Sequence, residues 1–338
     1  MGKNNSLFTN SPFLFNLVED NLMAVLIITN NLDFVADSVI NWIISFKKKV
    51  YRYNYEDFLK NATISYKLSN SKNVEMIING DLIESGWLRK ETDDYEKLYN
   101  LEKEFGFKDG YEFYKFLKKE ASVTKQTFFN NKNIRWLCDY KSINVNKIEV
   151  LEIAQKCGLK TPKSLVTNNI NSLVQFIENN SIEEFIVKSV GENLSIMYKN
   201  STTIFQPVKS FTTSNMDFPN SFLPTLFQEK IEKQFDIRIF FLNGSFYSMA
   251  IDNKSTDSRL TNDSTRYFPY LLPKSIEKKI TILMNKMNLN YGSIDLILDK
   301  KNYYHFLEVT PTGEFSFVSN NCNYNIEEKI ANYLCYGS

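Results

Sequence analysis

Two carboxylates near the C-terminus carry the strongest chemical signal in the chain. Asp295 sits in Gly292-Ser-Ile-Asp-Leu-Ile-Leu298, where residues 294–298 read as a strand. Asp299 to Asn302 reads as a turn, and Tyr303 to Val309 as the returning strand, with Glu308 on it. If the turn holds an even number of residues, Asp295 and Glu308 share a face. Thr310 follows on that face, because side chains alternate along a strand. Two carboxylates side by side on an apolar hairpin repel each other unless a cation lies between them, and hard oxygen ligands favour Mg2+. The alternative is a solvated sheet face with two unrelated acids.

Four cations stand out by position. Lys147 opens a helix, where a positive charge works against the dipole. Lys188 ends the apolar strand Phe-Ile-Val-Lys. Arg238 sits in Phe235-Asp-Ile-Arg-Ile-Phe-Phe241 on the same face as Phe240, and Arg259 in Asp257-Ser-Arg259. Each alone reads equally as an ion pair or a surface side chain whose stem lies on apolar neighbours. Together with the downstream acids they suggest a polyphosphate site: lysines neutralise phosphates, an Arg grips the transferred group, and a metal held by acids bridges the chain. No Gly-rich phosphate loop or Walker A sequence is present, which excludes a P-loop enzyme and argues against a dinucleotide site.

The elements that must position these residues follow from periodicity. Ala24 to Thr29 reads as a buried strand, Asp37 to Phe46 as a helix, and Lys48 to Tyr53 as a second strand. This β-α-β start predicts an α/β domain with a parallel sheet. Strands over 62–67 and 74–78 and a helix-rich stretch over 94–120 follow. Asn146 with Glu149 reads as a helix start, and Gly158 with Pro162 as its end. Residues 184–189 and 194–198 read as strands. Asn243-Gly244 between 237–242 and 245–251 is the strongest hairpin signal in the chain. Helices over 276–287 and 325–334 flank the acidic hairpin. Ser11-Pro12 reads as the start of a short amphipathic helix in an N-terminal extension.

Composition bounds the function. A chain of 338 residues is long enough for about two or three domains. The balance of 40 basic and 39 acidic side chains excludes a basic nucleic-acid binder. No apolar run approaches a membrane span, and no signal pattern opens the chain. Cys138, Cys157, Cys322 and Cys335 form no close pairs and His305 is the sole histidine, so zinc sites and Cys/His nucleophile schemes lack material. Reduced thiols in a cytoplasmic protein are the plain expectation.

The order of these stretches resembles the ATP-grasp ligases, and more closely the graspetide maturases of the microviridin and grasp-with-spasm type. The resemblance covers most of residues 23–335 and rests on Ala24 to Thr29, Gly86-Trp-Leu-Arg-Lys90, Asn146-Lys147 with Ala154 to Pro162, and Phe185 to Lys188. It continues through Phe227-Gln-Glu-Lys-Ile231, Asp236-Ile-Arg238, Asp257-Ser-Arg259, Gly292-Ser-Ile-Asp295 and Phe306-Leu-Glu-Val-Thr-Pro-Thr-Gly-Glu-Phe315. The resemblance implies an ATP-grasp fold of mixed α/β and α+β type. An extension over 1–22 would precede an N-terminal α/β domain over 23–125, a central domain over 126–226 and a C-terminal catalytic domain over 227–338.

It also implies roles. Lys147 and Lys188 would meet the phosphates of ATP, and Gln228, Glu229, Lys230 and Ile231 would form the adenine hinge. Arg238 and Arg259 would face the γ-phosphate and the acceptor carboxylate, and Asp295, Glu308 and Thr310 would hold Mg2+. The family usually has Asn where this chain has Thr310 and Gln where it has Glu314, so the ligand set departs from the pattern. The implied substrate is a ribosomal precursor peptide with leader and core. Its Asp or Glu side chains would become acyl phosphates and close ester or amide rings with Ser, Thr or Lys, releasing ADP and phosphate. A homodimer is implied, and Ser189 to Asn193 and Asp252 to Thr265 are lid candidates. Competing expectations are a ligase joining a free amino acid to a carboxylate and a nucleotide-binding regulator without turnover.

Overall fold

The structure is a computed structural model. It describes residues 24–54, 58, 62–67, 74–90, 110–143, 145–191, 195–198, 202–205, 208–215, 218–219, 222–253 and 264–337. The expected N-terminal extension, with its helix, and the start of the 94–120 stretch lie outside these residues.

The first domain begins with β1 (Ala24–Thr29), whose six residues are all buried. Asp33 then caps α1 (Phe34–Ser45) by accepting from the Ala36 N–H, and Ala36, Val39 and Ile43 turn inward. The chain continues through β2 (Lys49–Asn54), β3 (Ile64–Lys67), β4 (Glu75–Ile78), β5 (Asp81–Leu88), α2 (Gly110–Phe129) and β6 (Arg135–Leu137). β2, β1, β5 and β6 are parallel neighbours, as the β-α-β start predicts, while β4 and β3 extend the start of β5 antiparallel. Gly86 on β5 has no alternative, since a Cβ there would sit 2.2 Å from the Trp136 ring.

A smaller lobe follows. Asn146 caps α3 (Lys147–Lys156) by accepting from the N–H groups of Ile148 and Glu149. Next come β7 (Ser164–Thr167), α4 (Ile170–Asn180), β8 (Glu184–Lys188), the hairpin β9 (Ser195–Tyr198) and β10 (Thr202–Phe205), β11 (Lys209–Thr212) and β12 (Thr225–Glu229). The antiparallel sheet β11-β8-β12-β7 closes over its own core of Leu173, Ile177, Ile182, Phe185 and Phe227. The expected domain boundary at 226/227 falls inside β12, a strand of this sheet.

The last unit is built on β13 (Lys233–Leu242), β14 (Ser245–Asp252), β15 (Arg266–Pro269), α5 (Lys274–Lys286), β16 (Tyr291–Asp299), β17 (Tyr304–Thr310), α6 (Ser316–Cys322) and α7 (Ile326–Tyr336). Its antiparallel sheet runs β15-β14-β13-β16-β17. This sheet shares one core with the first domain: Val25, Ile27 and Trp87 pack in the same cluster as Phe240, Tyr291 and Phe315. The Trp87 indole donates to the Tyr291 hydroxyl at 3.2 Å, and Ser85 donates to the Leu334 carbonyl at 2.6 Å. The first and last units are thus bonded through their interiors, and α3 joins that shared core with Val150, Leu151 and Ala154, while α4 and the sheet β11-β8-β12-β7 have a separate core.

Candidate active site

Arg238, Asp295 and Glu308 form one row across three strands. Arg238 on β13 pairs in register with Asp295 on β16, and Asp295 with Glu308 on β17. Directly opposed residues of antiparallel strands share a face, so all three side chains stand on one surface. Thr310 opposes Ser293 in the adjacent row on the same face.

This row depends on an irregularity. The Asp299 N–H bonds the Tyr303 carbonyl at 2.9 Å, which leaves Lys300 to Asn302 as the loop. Three residues is an odd number, so the even-turn condition is not met. A regular ladder from this turn would oppose Asp295 with Leu307 and turn Glu308 into the core. A bulge corrects it: Leu296 pairs with Phe306 while Asp295 pairs with Glu308, and Leu307 is the extra residue. Phe306 is fully buried and Glu308 lies on the open face, although they are only two residues apart.

The electrostatics match this geometry. The Arg238 Nη1 donates to Asp295 Oδ2 at 2.5 Å. Burial pushes the Asp295 carboxyl up; Arg238 pulls it down and Glu308 pushes it up again, leaving it above the usual carboxylate range. The Asp295 charge drives Arg238 above its ordinary value against the opposing effect of burial. A half-buried acidic pair with one arginine still favours a further cation. The donors are hard oxygens: two carboxylates and a neutral hydroxyl. Among the described residues no group of three or more His, Cys, Asp or Glu forms a metal cluster. Mg2+ commonly uses one or two carboxylates and completes its shell with water and phosphate oxygens, so Asp295 and Glu308, with Thr310, fit it in the company of a nucleotide.

The loop after β17 is held from the first domain. Arg89, 1% exposed, follows β5 and donates through Nη1 to the Thr312 carbonyl at 2.6 Å and through Nη2 to Glu314 Oε2 at 3.2 Å. Asp33 lies 3.8 Å from its Nε, and Lys90 is 3.4 Å from Glu314 Oε1. Glu314 is thereby tied to Arg89 and Lys90, and its charge helps to raise Arg238. Gly313, at φ +35°, lets the backbone pass over β16, where a Cβ would come within 3.1 Å of Ser293 Oγ. The sequence marks Gly86 to Lys90 as a motif but gives Arg89 no role of its own. The available signal was two consecutive cations ending a buried strand.

The other expected residues are distributed around this row. Gln228 is buried and its carboxamide donates to Ser164 Oγ at 2.9 Å, so its side chain is occupied within the small sheet. Glu229 and Lys230 close the end of β12: their N–H groups bond the carbonyls of Lys163 and Glu184, and the Lys230 ammonium pairs with Glu184. Ile231 is half-buried in the link from β12 to β13, which leads directly into the strand that carries Arg238. Lys188 ends β8 opposite Leu226 of β12. Lys147 opens α3, which packs against β17. Arg259 lies outside the described residues, as do residues 192–193 and most of the second lid candidate.

A sheet bearing this row, joined through the link after β12 to a small antiparallel sheet with its own core, fits an ATP-grasp protein. The RimK-like ATP-grasp domain profile matches residues 144–334, more than half of the chain, and the chain belongs to this family. No curated protein sequence matches it. Among solved structures it is similar to the macrocyclase MdnC of Microcystis aeruginosa MRC bound with precursor peptide MdnA. That match has 23% identity and a TM-score of 0.73, covering 94% of this chain and 100% of that one. The RiPP-associated ATP-grasp ligase of Chryseobacterium gregarium, in complex with ADP and leader and core peptides, is also 23% identical. Its TM-score is 0.74, over 94% of this chain and 98% of that one. The ATP-grasp ligase PsnB, complexed with a phosphomimetic variant of minimal precursor, Mg and ADP, is 15% identical with a TM-score of 0.71, over 92% and 97%. At these identities the likeness establishes the fold.

Proposed function

We propose that the chain is an ADP-forming ligase that activates Asp or Glu side chains of a ribosomal precursor peptide and closes ester or amide macrocycles with Ser, Thr or Lys. The observation that carries this reading is the in-register row of Arg238, Asp295 and Glu308 on the open face of the C-terminal sheet. Similarity along nearly the whole chain to structures solved with precursor peptides, ADP and Mg supports the peptide substrate, the nucleotide and the metal.

In this reading the segment Gln228 to Ile231 receives the adenine through its backbone, and Lys147 and Lys188 neutralise phosphates. Asp295, Glu308 and Thr310 hold Mg2+, which when bound screens the phosphate charge. Arg238, anchored on Asp295, faces the γ-phosphate together with Arg259 and disperses the charge that develops during transfer. A peptide carboxylate oxygen attacks the γ-phosphorus, the bond to the bridging oxygen breaks, and ADP leaves. The hydroxyl or amine of the same peptide then attacks the acyl carbon and gives up its proton as phosphate departs. The peptide loses one water per ring. The two lobes must exclude solvent, because water would otherwise consume the acyl phosphate.

The reading includes a cytoplasmic enzyme and a homodimer. The four cysteines are free thiols, and no helix among the described residues is long and apolar enough to cross a membrane. The homodimer is carried by the family resemblance alone. The test is mass spectrometry of a candidate precursor, encoded beside the gene and incubated with the protein, ATP and Mg2+. Loss of water with ADP release is expected. Addition of an amino acid would favour the free-amino-acid ligase, and ATP binding without peptide-stimulated ADP release would favour a regulator.

A further inference from the structure

Asp33 and Arg89 are both buried charges, brought together from the loop after β1 and the end of β5. The Arg89 guanidinium bonds Thr312 and Glu314 through its Nη atoms, while its Nε, also buried, has no hydrogen-bond partner. Its carbon lies 5.7 Å from the Trp87 ring centre and 5.8 Å from that of Phe315, so the charge sits in a largely aromatic slot. A charge held there needs a counter-charge that water does not screen. Glu314 is a poor one, with its side chain 57% exposed. Asp33 is the buried one, 3.8 Å from Nε.

Both partners are anchored on β1. Thr29 Oγ1 donates to Asp33 Oδ2 at 2.5 Å, and the Ala36 N–H donates to Oδ1 at 3.3 Å. The Arg89 N–H bonds the Ile28 carbonyl at 2.8 Å. From this base the guanidinium reaches the loop after β17. There the Gly313 N–H bonds the Thr310 carbonyl at 3.1 Å and closes the turn Thr310-Pro311-Thr312-Gly313, with proline in its favoured second place. Arg89 grips the carbonyl of the third residue, Thr312, at 2.6 Å. The first residue of the same turn is Thr310, the hydroxyl on the face of the acidic row.

We infer that Asp33 is a positioning residue for the metal-binding face: it counters the buried Arg89 charge, which holds Thr312, and the turn then keeps Thr310 on the face of Asp295 and Glu308. This rests on the reading above only through the assignment of Mg2+ to that face. Without the Asp33 charge, the guanidinium has Glu314 alone to pair with, the turn loosens, and Mg2+ is held less tightly.

The test is calorimetry of ADP binding to the full-length protein across a series of Mg2+ concentrations, without peptide. Wild type is compared with Asp33→Asn, Arg89→Met and the double variant. Asn keeps the shape of Asp33 and caps a helix equally well. Asp33→Asn is expected to need about tenfold more Mg2+ for half-maximal ADP binding, the scale of losing a group that orients a metal ligand. The double variant should shift no further than Arg89→Met, because Asp33 acts through Arg89. A merely structural role would lower Tm and leave the Mg2+ midpoint in place. An Asp33→Asn titration that overlays wild type, or shifts that add in the double variant, overturns the assignment. If Asp33→Asn does not fold, Thr29→Val takes its place, since it removes only the hydroxyl that holds Asp33. It should shift the midpoint about threefold, and no shift overturns the assignment. A protein that behaves as expected here but removes no water from any precursor peptide would lose the ligase reading and keep the role of Asp33.

Discussion

The C-terminal sheet contains two hairpins built on opposite plans. In β13–β14 the turn is Asn243-Gly244, with φ of +45° and +88°, and the pairing runs without interruption from Leu242–Ser245 to Asp236–Ile251. In β16–β17 the loop has an odd length and the ladder shifts between Asp295 and Leu296. The regular hairpin assigns every side chain to a face by alternation. The bulged one places Phe306 in the core and Glu308 on the open face, which alternation alone cannot do for residues two apart. Regularity builds the platform, and one extra residue aims the chemistry.

The largest test of that contrast is a pair of deletions. Removing Tyr247 reverses the faces of half of β14 and should abolish the folded state. Removing Leu307 leaves Phe306 and Glu308 consecutive and on their present faces, so it should cost less than about 2 kcal/mol. Chemical denaturation of both variants decides; equal losses would refute the role given to the bulge. Next in size is Arg238→Met, which leaves two carboxylates facing each other. ADP release should fall by about 100- to 1000-fold, with a stability loss of about 1–3 kcal/mol. Arg89→Lys keeps the charge but loses the fork that holds Thr312 and Glu314 together. Turnover should drop about tenfold, with a higher Mg2+ requirement, in a metal titration.

The smallest effect lies in the turn. Burial raises the Asp299 carboxyl, but the His305 ring and the N–H groups of Tyr303 and Lys301 outweigh it and hold it below its ordinary value. A depressed carboxylate contributes stability above its unfolded pKa and loses it as the pH falls through the folded value. Asp299→Ala should cost about 1–2 kcal/mol at neutral pH, and the gap should close in acid. A gap independent of pH in urea melts would remove this contribution.

Much of this fold was legible because its signals are local. The apolar run Ala24 to Ile28 of β1, the Asn146 cap and Asn243-Gly244 each carry their own geometry. The short strands β6, β11 and β15 and the helix α6 were not read, because they have three to seven residues and owe their form to neighbours. The acids of the site were found from type and spacing. Their alignment was found only conditionally, since a bulge at Leu307 is set by long-range packing of Phe306 and not by the turn. The tie from Asp33 through Arg89 to Thr312 joins residues more than 200 positions apart, as the separation of 223 for Arg89 and Thr312 shows, and no local pattern encodes it.

The most direct test replaces Asp295 by Asn and Glu308 by Gln together, preserving shape and removing both negative charges. Peptide-stimulated ADP release is measured across a Mg2+ titration, with a thermal melt as the check on folding. A folded protein whose ADP release stays at least about 1000-fold below wild type at every Mg2+ concentration is the predicted result. A folded variant that releases ADP at the wild-type rate would contradict the assignment of this row as the catalytic metal site.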